Sequence, residues 1–251
     1  MTRPAAGMTN DCEPTKVHLT TSSNQLLEFL PPKDRQRLLK ACEPVQLELS
    51  EVLAESGKAV KHVYFPCNSF ISLLAQAPLS QDLEVYMVGR EGMLGAHEAL
   101  GVSAAPLKAL VQGKGLALKL PAATFRAELK RNTSLQRVIN RYLYFLMGQL
   151  AASAACIHHH VISQRLARWL LMSQDRALAN SFYVTHEFLA YMLGVRRVGI
   201  TTAAGPLQKT GLIAYNRGEL TVLDRPGLEK AACGCYAADQ RAYRQVLGAA
   251  V

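Results

Sequence analysis

The spacing of apolar positions changes twice along this chain, and each change predicts a change of architecture. After a polar opening, QLLEFLPPKDRQRLLKACEPV reads as a short helix, a Pro31-Pro32 break and a second helix carrying Leu38 and Leu39. Strand-like runs then take over. In VQLELSEVL the residues Val45, Leu47 and Leu49 alternate with polar ones, and short runs recur at HVYFP, SFISLL, LEVYMV, LKALVQG and GLALKLP between glycines. Many short strands with no long helix among them predict an antiparallel sandwich, roll or barrel over residues 42 to 121.

At Pro121 the period lengthens. A short helix is expected first, then a long one from Ser134, on which Leu135, Val138, Tyr142, Leu146 and Gln149 repeat every three or four residues. That narrow stripe suits either the chain's own roll or a parallel dimer seam with a second copy. The small residues Ala151, Ala152, Ala154 and Ala155 beyond it would let two helix backbones approach. VISQRLARWLLMSQDRAL is a further amphipathic helix with Ile162, Leu166, Trp169 and Leu170 on one face. THEFLAYML and RRVGITTAAGPLQK follow as two helices about Gly194, and GLIAYNRGELTVLD reads as a hairpin turning at Asn216, Arg217 and Gly218. Three helices and a hairpin are the order of a winged helix-turn-helix. The expected fold class is therefore α+β: an N-terminal antiparallel β-roll of jelly-roll type, a long dimerisation helix and a C-terminal winged helix-turn-helix domain. The expected divisions are a polar tail (1–25), a sensor roll (26–132), the dimerisation helix and hinge (133–160), the winged helix (161–227) and a C-terminal helical extension (228–251).

Charge narrows the partner. The 251 residues carry a formal net charge of +9, with 11 basic against 6 acidic side chains after residue 160 and 17 against 13 before it. The denser basic bias thus falls on the predicted winged helix, as expected for a protein that meets an acidic polymer. No segment holds about 18 uninterrupted apolar residues and the opening 23 residues lack a signal core, so no membrane partner and a cytoplasmic location are expected. Six scattered cysteines then read as reduced thiols. There is no glycine-rich phosphate loop, HExxH or GxSxG, and an enzyme is not expected.

In the second of the paired helices Ile200, Ala203, Ala204 and Leu207 share one face, leaving Val198, Thr201, Thr202 and Gly205 on the other. An Arg at the N-terminal end of such a helix can bond guanine O6 and N7 in the major groove. Arg197 is placed for that role and Arg196 for phosphate. Thr185 is both an N-cap and a candidate DNA contact, and Arg217 stands at a hairpin tip that could reach phosphate or minor groove. Pro206 should bend or shorten the helix.

RLARWLLMSQDR and THEFLAYMLGVRRVGITTAAGPLQKTGLI, with YFPCNSFISLL and VGREGMLG, resemble a branch of the Crp/Fnr superfamily of bacterial transcription regulators over residues 26 to 225. The resemblance implies a homodimer binding a palindromic DNA operator, with RNA polymerase a candidate further partner and a cyclic-nucleotide-binding-like sensor domain. It also implies that Arg197 reads a base, while Val198 and Thr202 stand where the family usually has Glu and Arg, so the operator should differ. Cyclic-AMP-binding members use Gly-Glu and Arg-Ser pairs. Here Gly95 is followed by Ala96 and no Arg-Ser follows, so cyclic AMP binding is not expected. Cys12 stands without the close cysteine group of the iron-sulfur members. No cofactor is expected, and the effector is unknown.

CIHHH, Cys156 to His160, lies at the hinge. Its expected reading is a small connection holding no metal. Thiolate and imidazole suit zinc or copper, however, so Cys156, His158 and His160 remain the candidate effector or metal ligands, joined by Cys233 and Cys235 if the C-terminal piece folds back. The rival function is a ligand- or metal-responsive binding module whose winged helix serves protein contacts.

Overall fold

The computed structural model describes residues 24–76 and 82–248. The polar tail and Cys12 lie outside the described residues apart from Asn24 and Gln25. Asn24 caps α1 (Gln25–Glu28): its side chain accepts from the Leu27 N–H and donates to the carbonyls of Pro66 and Gly92, both at 2.8 Å. α1 is thereby tied to the roll. Pro32 then opens α2 (Pro32–Ala41) at its first turn, where its missing N–H costs nothing.

Seven strands form the roll: β1 (Glu43–Leu47), β2 (Val52–Ala54), β3 (His62–Pro66), β4 (Phe70–Ala75), β5 (Leu83–Val88), β6 (Lys108–Gly113) and β7 (Gly115–Pro121). They make two antiparallel sheets, ordered β1-β7-β3 and β2-β6-β4-β5. A short 3-10 turn (Ala96–Leu100) interrupts the strands. The alternation in VQLELSEVL ends sooner than expected: β1 stops at Leu47, Ser50 turns the chain at φ 67°, and Leu49 is exposed. The adjacent apolar pairs Phe70-Ile71 and Leu73-Leu74 of SFISLL have a direct cause. Ile71 and Leu73 face the roll interior, whereas Phe70 and Leu74 join the core of the C-terminal domain, so both faces of β4 are covered. His62 and His97 are half-buried.

α3 (Ala122–Arg131) leads to the long α4 (Thr133–His159), capped by Asn132, whose side chain accepts from the Leu135 N–H at 3.0 Å. The C-terminal half contains α5 (Ile162–Ala177), β8 (Ser181–Tyr183), α6 (His186–Leu193), α7 (Arg197–Lys209), β9 (Ile213–Asn216), β10 (Glu219–Val222), α8 (Arg225–Ala231) and α9 (Cys235–Leu247). β8 was not expected. It pairs with β10 to give the wing three strands, ordered β8-β10-β9. α8 crosses the division expected at 227.

The stripe on α4 resolves differently from a dimer seam. Leu135, Val138, Tyr142 and Gln149 are buried within the chain itself, and Leu146 is half-buried against the same core. The physical reason is that the roll packs on one part of this face and α9 folds back over the rest. Gln149 donates to Asp239 at 3.0 Å, Phe145 meets Tyr243 edge-on at 5.3 Å, and the Tyr243 hydroxyl donates to the Glu91 carbonyl at 2.9 Å. Tyr142 donates to the Met93 carbonyl of the roll. The face of α4 left open carries Tyr144 (66% exposed), Met147 (65% exposed), Gly148, Ala151, Ala154 and Ala155.

The two halves also bond directly. Trp169 on α5 donates through Nε1 to Glu84 on β5 at 2.9 Å, Tyr191 on α6 donates to Asp82 at 2.7 Å, and Arg176 pairs with Glu91 at 2.7 Å.

Candidate DNA-binding interface

The Thr185 hydroxyl accepts from the Phe188 N–H at 3.1 Å, which caps α6 and gives Thr185 a structural role. Glu187 sits in the first turn, where the helix dipole favours an acid. α6 ends at Gly194, left-handed at φ 63°, whose N–H closes onto the carbonyls of Ala190 and Tyr191. Glycine takes this conformation without strain, and it turns the chain sharply into α7.

α7 is two-faced. Ile200, Ala203, Ala204 and Leu207 are buried against α5 and the wing, while Arg197, Val198 (68% exposed), Thr201, Thr202 and Gly205 stand open. Arg196 is the exposed N-cap residue, without a side-chain capping bond. Pro206 does not shorten the helix, which runs on to Lys209. The lost hydrogen bond falls on the exposed side, where water can serve the carbonyl of Thr202.

Among the seven residues expected to contact DNA, five thus share one open surface: Arg196, Arg197, Val198, Thr201 and Thr202. Arg217 lies apart at the exposed tip of the β9–β10 hairpin. There Arg217 (φ 49°) and Gly218 (φ 90°) are the two residues of the turn between the paired Asn216 and Glu219, a type I′ geometry matched to the strand twist.

His186 and Tyr215 were missed by sequence reasoning. The His186 ring stacks on Tyr215 at 4.5 Å and its Nδ1 lies 3.1 Å from the Thr201 hydroxyl, which also donates to the Arg197 carbonyl at 3.3 Å. Tyr215 in turn donates to the Val184 carbonyl at 2.7 Å. Partial burial and then the charge of Arg197 hold the His186 pKa below its usual value, so the ring is neutral at pH 7. The stack thereby ties α6 and the wing to α7 through Thr201. The available signal was a His directly after an N-cap, which has many other readings.

At the hinge the structure gathers Cys156 and His160 with Cys233 and Cys235, their ligand atoms all within 4.8 Å of one another. His158 does not join them. It is exposed and meets His159 edge-on at 4.6 Å. The Cys156 and Cys233 sulfurs are 3.5 Å apart, and Cys235 Sγ is 3.7 Å from His160 Nδ1. The hydrogen bond from Cys233 lowers the pKa of the Cys156 thiol, aided by the charge of Arg168, while that of Cys233 is pushed up.

Residues 164–231 match the model of the Crp-like helix-turn-helix domain. No curated protein matches the sequence. Solved structures do. A Crp-family transcriptional regulator of Thermus thermophilus aligns with a TM-score of 0.62 at 20% identity, covering 75% of this chain and 96% of its own. The c-di-GMP-responsive global regulator CLP of Xanthomonas campestris aligns with a TM-score of 0.61 at 13% identity, over 77% of this chain and all of its own. FixK2 of Bradyrhizobium japonicum aligns with a TM-score of 0.59 at 12% identity, over 77% of this chain and 98% of its own. The chain is thus similar over residues 164–231 to the Crp-like helix-turn-helix domain, and its fold is that of solved structures of the Crp/Fnr family.

Proposed function

We propose that this protein is a sequence-specific DNA-binding transcription regulator acting as a homodimer, with a sensor roll that does not take cyclic AMP. The observation that carries the reading is the two-faced α7: its apolar side is spent on the domain core, and its open side presents Arg197 at the N-terminal end followed by small side chains. Small residues let a helix backbone enter the major groove closely, and the terminal Arg reaches base edges in bidentate fashion. Arg196 and the wing-tip Arg217 are available to phosphates on either side.

The second copy is assigned to the open face of α4. Gly148, Ala151, Ala154 and Ala155 allow two helix axes to approach, and Tyr144 and Met147 supply apolar area that is otherwise left in water. A symmetric pair joined there presents two α7 helices to half-sites about one DNA turn, ~34 Å, apart. No helix of the described residues is long and apolar enough to cross a membrane.

Selection of bound duplexes from a random DNA pool tests this reading. An enriched palindrome with half-sites one turn apart is expected. Binding that stays unselective at low salt, or an affinity for DNA that does not fall with salt, would refute it, because phosphate contacts release counterions at a slope near 0.9 per neutralised phosphate.

A further inference from the structure

We propose that Cys156, His160, Cys233 and Cys235 form a tetrahedral site for a thiophilic divalent ion of the zinc type, which pins the start of α9 to the end of α4. The site is built from two short chelating pairs. Cys156 lies in the last turn of α4 and His160 is its C-cap, four residues on, so both donors leave one side of the helix end. Cys233 lies just after α8 and Cys235 opens α9, a C-x-C pair brought in from 77 residues away.

The geometry is that of a coordination tetrahedron. Zn–S bonds of about 2.3 Å and Zn–N bonds of about 2.0–2.1 Å give edges of roughly 3.5–3.8 Å between donor atoms. The Cys156–Cys233 edge is 3.5 Å and the Cys235–His160 edge 3.7 Å, with the remaining pairs inside 4.8 Å. A disulfide would use two of these four groups and leave the convergence of Cys235 and His160 without a cause. Three thiol donors and one imidazole exclude calcium and magnesium, which take oxygen, and select a borderline-soft ion.

Charge balance favours the same assignment. Three thiolates around a divalent ion leave one net negative charge. Arg165 and Arg168, on the adjoining α5, both interact electrostatically with Cys156 and Cys233, and Arg168 is itself held by Asp239 of α9 at 2.6 Å. The ion would therefore link α4 and α9, beside the arginines of α5, at the point where the roll's long helix passes into the DNA-binding half. A bound ion would hold the angle between them, because α9 also bonds back to the roll through Tyr243 and Glu91.

The test uses the full chain, reduced and stripped with chelator, and titrated at neutral pH with Co2+ and then Zn2+ alone. One Co2+ per chain is expected, with the intense visible absorption of tetrahedral thiolate ligation, displaced by one equivalent of Zn2+. Cys156→Ser and Cys233→Ser should each weaken binding by more than the roughly 10–100-fold that loss of an outer-shell partner costs. His158→Ala, outside the cluster, should bind as the parent does. No stoichiometric uptake by the reduced parent protein, an octahedral spectrum, uptake that survives both Cys substitutions, or a Cys156–Cys233 disulfide forming in place of ion uptake would each overturn the proposal. The parent titration needs no variant to fold. None of these readouts involves DNA, so failure here is separable from failure of the regulator reading.

Discussion

Replacing Glu84 by Gln should stabilise the protein at neutral and alkaline pH and do little in acid. The Glu84 carboxylate is enclosed between β5 and α5, and the loss of water raises its pKa from 4.5 to about 7. Hydrogen bonds from Ser72 and Trp169 and the charges of Arg176 and Arg168 oppose that rise without cancelling it. Between pH 4.5 and 7 the folded state therefore keeps a proton that the unfolded chain has lost. Stability is fullest below the unfolded pKa and falls as pH rises, by about 1.4 kcal/mol per unit, toward a total on the order of 3 kcal/mol once the folded group ionises. Gln keeps the shape, offers its carbonyl to Trp169 and cannot ionise. The difference in unfolding free energy, variant minus parent, should grow from near zero at about pH 4.5 to as much as ~3 kcal/mol at about pH 8. Urea titrations read by Trp169 fluorescence measure it at the contact itself, since Trp169 is the chain's single tryptophan. His97 and His186, both shifted downward, titrate alike in the two proteins and cancel in the difference. A difference that stays flat across this window, or falls with pH, would refute the reasoning.

Three further outcomes are expected. Arg197→Ala should cost about 1–3 kcal/mol at the selected operator and relax discrimination there, whereas Arg196→Ala should weaken all sequences alike and lower the salt slope by about 1, as competition binding at several salt concentrations would reveal. Ala151→Glu places a charge on the open face of α4 and should abolish the proposed self-association in sedimentation while leaving the circular-dichroism spectrum of the folded chain unchanged. Tyr142→Glu, at a buried position of the same helix, should instead unfold the chain. Thr185→Ala removes the cap of α6 and should cost about 1 kcal/mol in urea unfolding, with a folded domain remaining.

Much of the architecture was legible because it rests on local periodicity. Alternation in VQLEL, the three-to-four spacing of α4 and α7, and the glycine turns at Gly194 and Gly218 are properties of the backbone and its neighbours. They mark strands, helices and turns wherever the chain is placed. The open face of α7 was legible for the same reason: once Ile200, Ala203, Ala204 and Leu207 are taken as core, helix geometry alone turns Val198, Thr201, Thr202 and Gly205 away from it, with Arg197 at the edge near the N-terminal end.

Partnership was another matter. The stripe Leu135, Val138, Tyr142 and Gln149 has the spacing of a helix interface, but spacing does not name the occupant. The roll and α9, about a hundred residues away, together cover it, and the face left open carries Tyr144, Met147 and the small residues. The hinge obeyed the same logic. CIHHH offered His158 and His160 as candidates, and the fold brings only His160 beside Cys235, because the helix ends there, while His158 is left in solvent. Periodicity is written in each segment, whereas which faces meet depends on how distant segments share the burial of apolar area, and that is settled when the whole chain packs.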